Sequence, residues 1–250
     1  MKSASGHAGI GAPSSHRAIA RDAEVSGNGL IIVGNGRRAM VAYECFSNDS
    51  PYQVAAFSAE ARYIEADACC GLPLVPLEDL AVSHPPERYL AFIAVAPSHG
   101  NHARRRLYEV VKSAGYTCAS YISSRAFSLQ NVQVGENVFV SDYAALQHMV
   151  RVGNNVFVGS GTCVGHSTVV EDDCFIGQHA VVAGFCNVGR GCYLGSNSCV
   201  ADVVRVADEC VLNTGAVVLK DTKPGQVYTG NPARPAGQPL CIRASPPVKR

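Results

Sequence analysis

The chain has 250 residues, of which 47% are hydrophobic, and a formal net charge of +1. That length suits one large or two modest domains, and that hydrophobic share supports a full core. A near-neutral balance argues against nucleic acid or a membrane surface as partner, and no apolar run reaches the roughly 18 residues of a membrane span.

Residues 1–28 are rich in Ser, Ala, Gly and His without a period, which reads as a flexible extension. No apolar segment follows Lys2, so no secretory signal is expected and the cytoplasm is the default location. Leu30-Ile31-Ile32-Val33 predicts a short strand. It runs into Gly34-Asn35-Gly36 and a helical stretch from Arg37 to Phe46. Val54 to Phe57 predicts a second strand and Tyr89 to Val95 a third, followed by a helix from Asn101 to Ala114 that Gly115 caps. Strand alternating with helix implies a small parallel sheet with helices on its faces. This Rossmann-like α/β domain is expected over 29–125, a repeat domain over 126–222, and a proline-marked irregular tail over 223–250.

From Phe127 to Ala216 the chain repeats every 18 residues in three six-residue steps. The first step aligns Leu146, Val164, Val182 and Val200; the second Val152, Val170, Val188 and Val206; the third Val158, Ile176, Leu194 and Leu212. The residue four places on is always small or β-branched, as in Thr162, Cys174 and Ala180. A six-residue step means a short strand and a tight corner, and three steps close a triangular coil. Coils stacked at a strand spacing of about 4.8 Å give a prism roughly 24 Å tall. An ordinary β-sandwich has no reason to hold one register over so long a stretch. Of the eleven cysteines, Cys174, Cys192 and Cys210 share one inward column and read as small apolar fillers. Cys69 and Cys70 have no partners at zinc-site spacing.

This pattern resembles the hexapeptide repeat of the left-handed parallel β-helix, and the resemblance supplies the hand of the coil. The two parts in this order resemble the sugar-nucleotide acyltransferases, which acetylate amino sugars or sialic acids. The likeness runs from about Leu30 to Arg234 and rests on Gly34-Asn35-Gly36, Pro76-Leu77-Glu78-Asp79-Leu80, Tyr121-Ile122-Ser123-Ser124, Val164-Gly165-His166, Cys174-Phe175-Ile176 and Val227-Tyr228-Thr229-Gly230-Asn231-Pro232-Ala233. It implies an acetyl-CoA-dependent N-acetyltransferase acting on a nucleotide-linked amino sugar, with O-acetylation of a sugar as the nearest alternative. It also implies a homotrimer with ligand clefts between adjacent chains.

Gly34-Asn35-Gly36-Arg37-Arg38-Ala39 fits a phosphate loop opening a helix. With Glu60 as a ribose-binding acid, a dinucleotide reading stays open; the family uses the loop for a sugar nucleotide; a ligand-free turn is the third possibility. His99, Asn101 and Arg104 follow the third strand, where acceptor contacts or a helix cap are both expected. His148 and His166 stand one coil apart and point outward. His166 matches the family's catalytic histidine by its Gly-His step, and imidazole suits removal of an amine proton without a metal. Gly184, 18 residues on, is the expected oxyanion donor through its N–H. Some family members place Glu after the base; here Ser167 stands there, leaving Glu171, Asp172 or a neighbouring subunit to orient the ring. His179 is a further substrate candidate. Acetyl-CoA is expected along the C-terminal coils, at Gly184, Asn197, Gly215, Lys220 and Gly230-Asn231-Pro232-Ala233. Two rivals use the same fold: a zinc enzyme of the γ-carbonic anhydrase kind, whose histidine spacing fails at Glu171, and a non-catalytic scaffold. No metal is expected.

Overall fold

The computed structural model describes residues 29–97 and 101–237. The extension expected over 1–28 and the candidate His99 lie outside the described residues. The first part is a sheet of β1 (Gly29–Val33), β2 (Gln53–Ala59), β3 (Ala68–Cys69), β4 (Leu72–Pro76) and β5 (Tyr89–Ile93), ordered β3-β4-β2-β1-β5. All pairs are parallel except the edge pair β3–β4. β1 is buried on both faces, as its unbroken aliphatic run requires. Leu30 and Ile32 pack with Ala39, Ala42 and Phe46 of α1 (Arg37–Asn48). Ile31 and Val33 pack with Leu80 of α2 (Leu80–Ser83) and with Leu107 and Val111 of α3 (His102–Ser113). The period-2 alternation of a strand thus assigns a helix to each side. Gly115, at φ +92°, donates its N–H to the Lys112 carbonyl and ends α3 as expected.

The second part is a triangular prism of two-residue strands in three parallel sheets. From Tyr121 to Val218 every paired position is 18 residues from its partner, as in Ala145 with Cys163 and Cys163 with Val181. All twelve inward aliphatics are buried, none more than 4% exposed. The small residues beside them are buried too, and the threonines and cysteines among them spend their donors on the next coil, whereas the Ser198 hydroxyl has no partner. Thr162 Oγ1 reaches the Gly177 carbonyl at 2.9 Å, and Cys174 Sγ reaches Gly189 at 3.1 Å. Cys192 and Cys210 do likewise toward Ala207 and Lys223. The thiols therefore fill space and also satisfy corner carbonyls.

The three outer faces differ in chemistry. One carries Tyr121, Phe139, Phe157, Phe175 and Tyr193; Phe139, Phe157, Phe175 and Tyr193 stack with centroids 4.8–5.4 Å apart. The first part covers this face: Phe46 meets Tyr121 at 5.5 Å, and the Arg38 guanidinium lies 4.5 Å from the Phe157 ring centre. The second face is mostly polar, with Gln133, Arg151, Asn187 and Arg205 leading four of its strands and Val169 the fifth. The third presents Phe127, Ala145, Cys163, Val181, Cys199 and Val217, an apolar row with Phe127 and Val181 exposed.

A polar ladder also joins the two parts. The Ile93 N–H donates to Asn137 Oδ1, Asn137 Nδ2 to Asn155 Oδ1, and Asn155 Nδ2 to Asp173 Oδ1, each at 2.8 Å. Asp173 Oδ2 then pairs with Arg105 at 3.0 Å and Arg190 at 2.8 Å. The tail departs from the irregular segment expected after 222. Val227–Thr229 adds a strand beside Val211–Leu212, and Arg234–Ala236 turns back antiparallel. The buried Tyr228 anchors this hairpin, its hydroxyl accepting the Lys223 N–H at 2.8 Å.

Candidate active site

His166 occupies the corner after Cys163–Val164, in a vertical column with His148, Gly184, Asp202 and Lys220. It is exposed, since it stands two residues beyond the inward Val164. Its backbone N–H donates to Gln147 Oε1 at 3.2 Å, and its carbonyl accepts the Phe185 N–H at 2.9 Å. The imidazole lies across Gly184: a Cβ there would fall 2.6 Å from Cε1 and 2.9 Å from Nε2. The Phe185 ring stands at 83° to it, with centroids 4.8 Å apart. Glycine above the histidine is therefore a space requirement.

The oxyanion role expected for the Gly184 N–H needs correction. That donor is already given to Asp202 Oδ1 at 2.9 Å. The reason is general along the prism, where a carboxylate or amide one coil on caps the corner amide, as Asp172 does for Asn154 and Asp208 for Arg190. Asp172 and Glu171 stand at another corner, on the polar face, so neither orients His166 within the chain. His148 is exposed one coil below His166. His179 belongs to the third corner, in a column with Gly161, Asn197 and Gly215. His166 and His179 thus mark opposite edges of the apolar face.

The glycine loop sits where the strand order reverses, between the C-terminal ends of β1 and β5, where open parallel sheets bind ligands. Gly34, at φ +131°, packs so tightly that a Cβ would lie 2.8 Å from the Ala94 carbonyl oxygen. Asn35 Nδ2 donates to the Tyr63 carbonyl at 2.8 Å and fixes the loop. Gly36 begins α1 without a side-chain cap, leaving space above the first turn, and Arg37 is exposed beside it. Arg38 turns away to the aromatic ladder, where burial lowers its pKa. Glu60 is held by Arg106 in a two-pronged pair at 2.7 and 3.2 Å, which keeps its carboxyl below the usual carboxylate range. It serves as an anchor for α3.

Asn101 and Arg104 are also corrected. Both are buried, and both hold α3 on the prism. Asn101 Nδ2 donates to the Asp173 carbonyl at 3.1 Å. Arg104 Nη2 donates to the carbonyls of Asn155 at 2.8 Å and Cys174 at 2.7 Å. Burial, with Arg38 repulsion second, brings the Arg104 pKa down to about 10. Polar residues after a strand face a ligand or a neighbouring element equally well in sequence. A missed signal existed in the 18-residue spacing of Asn137, Asn155 and Asp173, a polar column waiting for partners.

The expected cofactor residues divide between two edges. Lys220 tops the His166 column and is exposed. Asn197 and Gly215, at φ +56° and +73°, line the His179 corner. The Gly230–Ala233 turn closes on the adjoining strand, Gly230 accepting the Val217 N–H and the Ala233 N–H returning to the Val217 carbonyl at 2.7 Å.

These features define a hexapeptide-repeat left-handed parallel β-helix joined to a small Rossmann-like sheet. Residues 167–202 match the family "Bacterial transferase hexapeptide (six repeats)", and 149–177 and 187–220 match "Hexapeptide repeat of succinyl-transferase". Among solved structures, a histidine-to-asparagine mutant of perosamine N-acetyltransferase from Caulobacter crescentus, in complex with CoA and GDP-perosamine, is 24% identical. That alignment covers 84% of this chain and 98% of the other with a TM-score of 0.77. The acetyltransferase domain of PglB from Neisseria gonorrhoeae is 21% identical, covering 84% and 100%, with a TM-score of 0.75. WeeI from Acinetobacter baumannii is 19% identical, covering 83% and 99%, with a TM-score of 0.57. No curated protein matches the chain. Among the described residues no helix is long and apolar enough to cross a membrane.

Proposed function

We propose that the chain is an acetyl-CoA-dependent N-acetyltransferase acting on the amino group of a nucleotide-linked amino sugar. The observation that carries this reading is His166, an exposed imidazole laid across a glycine at a β-helix corner. In this scheme His166 removes the amine proton as nitrogen attacks the thioester carbonyl, and CoA leaves as thiol. Gly34, Asn35, Gly36 and Arg37 hold the nucleotide at the sheet's switch point. His148 and His179 contact the acceptor. Asn197, Gly215, Lys220 and residues 230–233 receive CoA. The solved relative in complex with CoA and GDP-perosamine supports the pairing of donor and acceptor classes.

The apolar outer face supports assembly as a homotrimer. Packing it against a copy brings the His166 edge of one chain toward the Asn197–Gly215 edge of the next, which completes a site divided within one chain. Light scattering is expected to give three times the 26.3 kDa chain mass. A stable monomer at working concentration contradicts the shared site.

Gly184→Ala is expected to lower kcat by roughly 10–100-fold, because a ring displaced by even 1 Å misplaces the base. The fold should persist, since the added methyl meets a side chain. Gly165→Ala is the contrast: its Cβ would lie 2.5 Å from the Ala183 backbone carbon, so it should lower the melting temperature. Kinetics and thermal melts of both variants check this pair. For the donor, calorimetry with coenzyme A is expected to show saturable binding that weakens when the chain is cut before Gly230. Absence of binding at millimolar coenzyme A contradicts the proposal.

A further inference from the structure

Phe185 occupies a position that disfavours it. Its φ is +56°, the left-handed region, and its side chain is 60% exposed. Non-glycine residues other than Asn and Asp enter that region at a cost of about 1–2 kcal/mol. The same backbone recurs along its own corner at Met149, Ser167 and Val203, and Met149 and Val203 are exposed too, so the left-handed φ belongs to the corner and what sets Phe185 apart is the contact its ring makes. Within one chain little of the residue is covered. Its aromatic contact is the imidazole of His166, edge to face at 4.8 Å and 83°. The Phe185 N–H also fixes the backbone of His166, donating to its carbonyl at 2.9 Å. Among the described residues, no side chain hydrogen-bonds either ring nitrogen of His166.

We infer that Phe185 is a positioning residue: with Gly184 as floor and its own ring as wall, it sets the orientation of the His166 imidazole by packing in place of an acidic hydrogen-bond partner. This inference rests on the general-base reading of His166. An edge-to-face aromatic pair is worth about 0.5–1.5 kcal/mol, enough to select one ring orientation from several. It also leaves both ring nitrogens free for the amine and for solvent.

The test combines kinetics with a spectroscopic probe that needs no substrate. Phe185→Ala should lower kcat roughly 10-fold with KM for acetyl-CoA and acceptor changed less than about 2-fold, and Phe185→Tyr should restore most of it. In the His166→Ala background, Phe185→Ala should have no further effect, as expected of a residue acting through another. In protein with ring-labelled histidine, Phe185→Ala should shift the His166 resonance and leave His179 in place. An unmoved His166 resonance overturns the inference. So does a fall in the assembly mass of Phe185→Ala by light scattering, which would make the ring an interface residue. Equal losses for Phe185→Ala with and without His166 also overturn it. A His166→Ala enzyme of normal turnover would instead remove the general-base reading, and with it the catalytic part of this inference.

Discussion

His166→Ala is expected to lower kcat by about 10²–10⁴, the usual worth of a general base, which corresponds to about 3–5 kcal/mol of transition-state stabilisation. The fold should survive. The side chain is exposed, so its loss opens no core cavity, and its backbone bonds to Gln147 and Phe185 do not involve the imidazole. His148→Ala, one coil below, should act more weakly and through acceptor KM. Steady-state kinetics beside a thermal melt distinguish the two. Near-normal turnover of His166→Ala on the true substrate would show that the amine arrives already deprotonated.

Arg104→Met is expected to have the largest effect on stability. The side chain is buried, and its Nη2 satisfies the carbonyls of Asn155 and Cys174 at once. Methionine keeps the volume and removes both donors. Hydrogen bonds to charged groups are worth about 1.5–3 kcal/mol each. Removing a buried cation returns part of that through the lost desolvation penalty, which leaves a net loss of about 2–4 kcal/mol. The chain has no tryptophan, so urea unfolding followed by circular dichroism is the practical readout. An unchanged midpoint would mean that α3 docks through its apolar residues and the Asp173 ion pairs alone.

The repeat was readable because a six-residue step returns each position to the same place. Leu146, Val164, Val182 and Val200 had to share one environment, and all are fully buried. The sheet was readable to a lesser degree. β4 escaped notice because its Leu72-Pro73-Leu74-Val75-Pro76 carries two prolines, which suit an outer strand but weaken its apolar pattern. Helix starts at Arg37 and near Asn101 followed from chain punctuation. The destinations of Asn101 and Arg104 did not, because polarity in sequence does not say whether the partner is a ligand or another part of the chain. Gly184 was correctly placed above His166, yet its N–H is spent on Asp202. That bond runs between coils, and its only sequence trace is the 18-residue interval. Phe185 carried no signal, since an aromatic at a left-handed corner breaks the local preference that sequence reading relies on.

The central claim is amine acetylation from acetyl-CoA, and thiol release measures it most directly. The protein would be incubated with acetyl-CoA and, one at a time, a panel of nucleotide-linked amino sugars. The account predicts thiol release that depends on one of them, with the acetyl group recovered in an amide stable to hydroxylamine. An acetyl product that hydroxylamine cleaves, formed equally from a sugar lacking the amine, would contradict it.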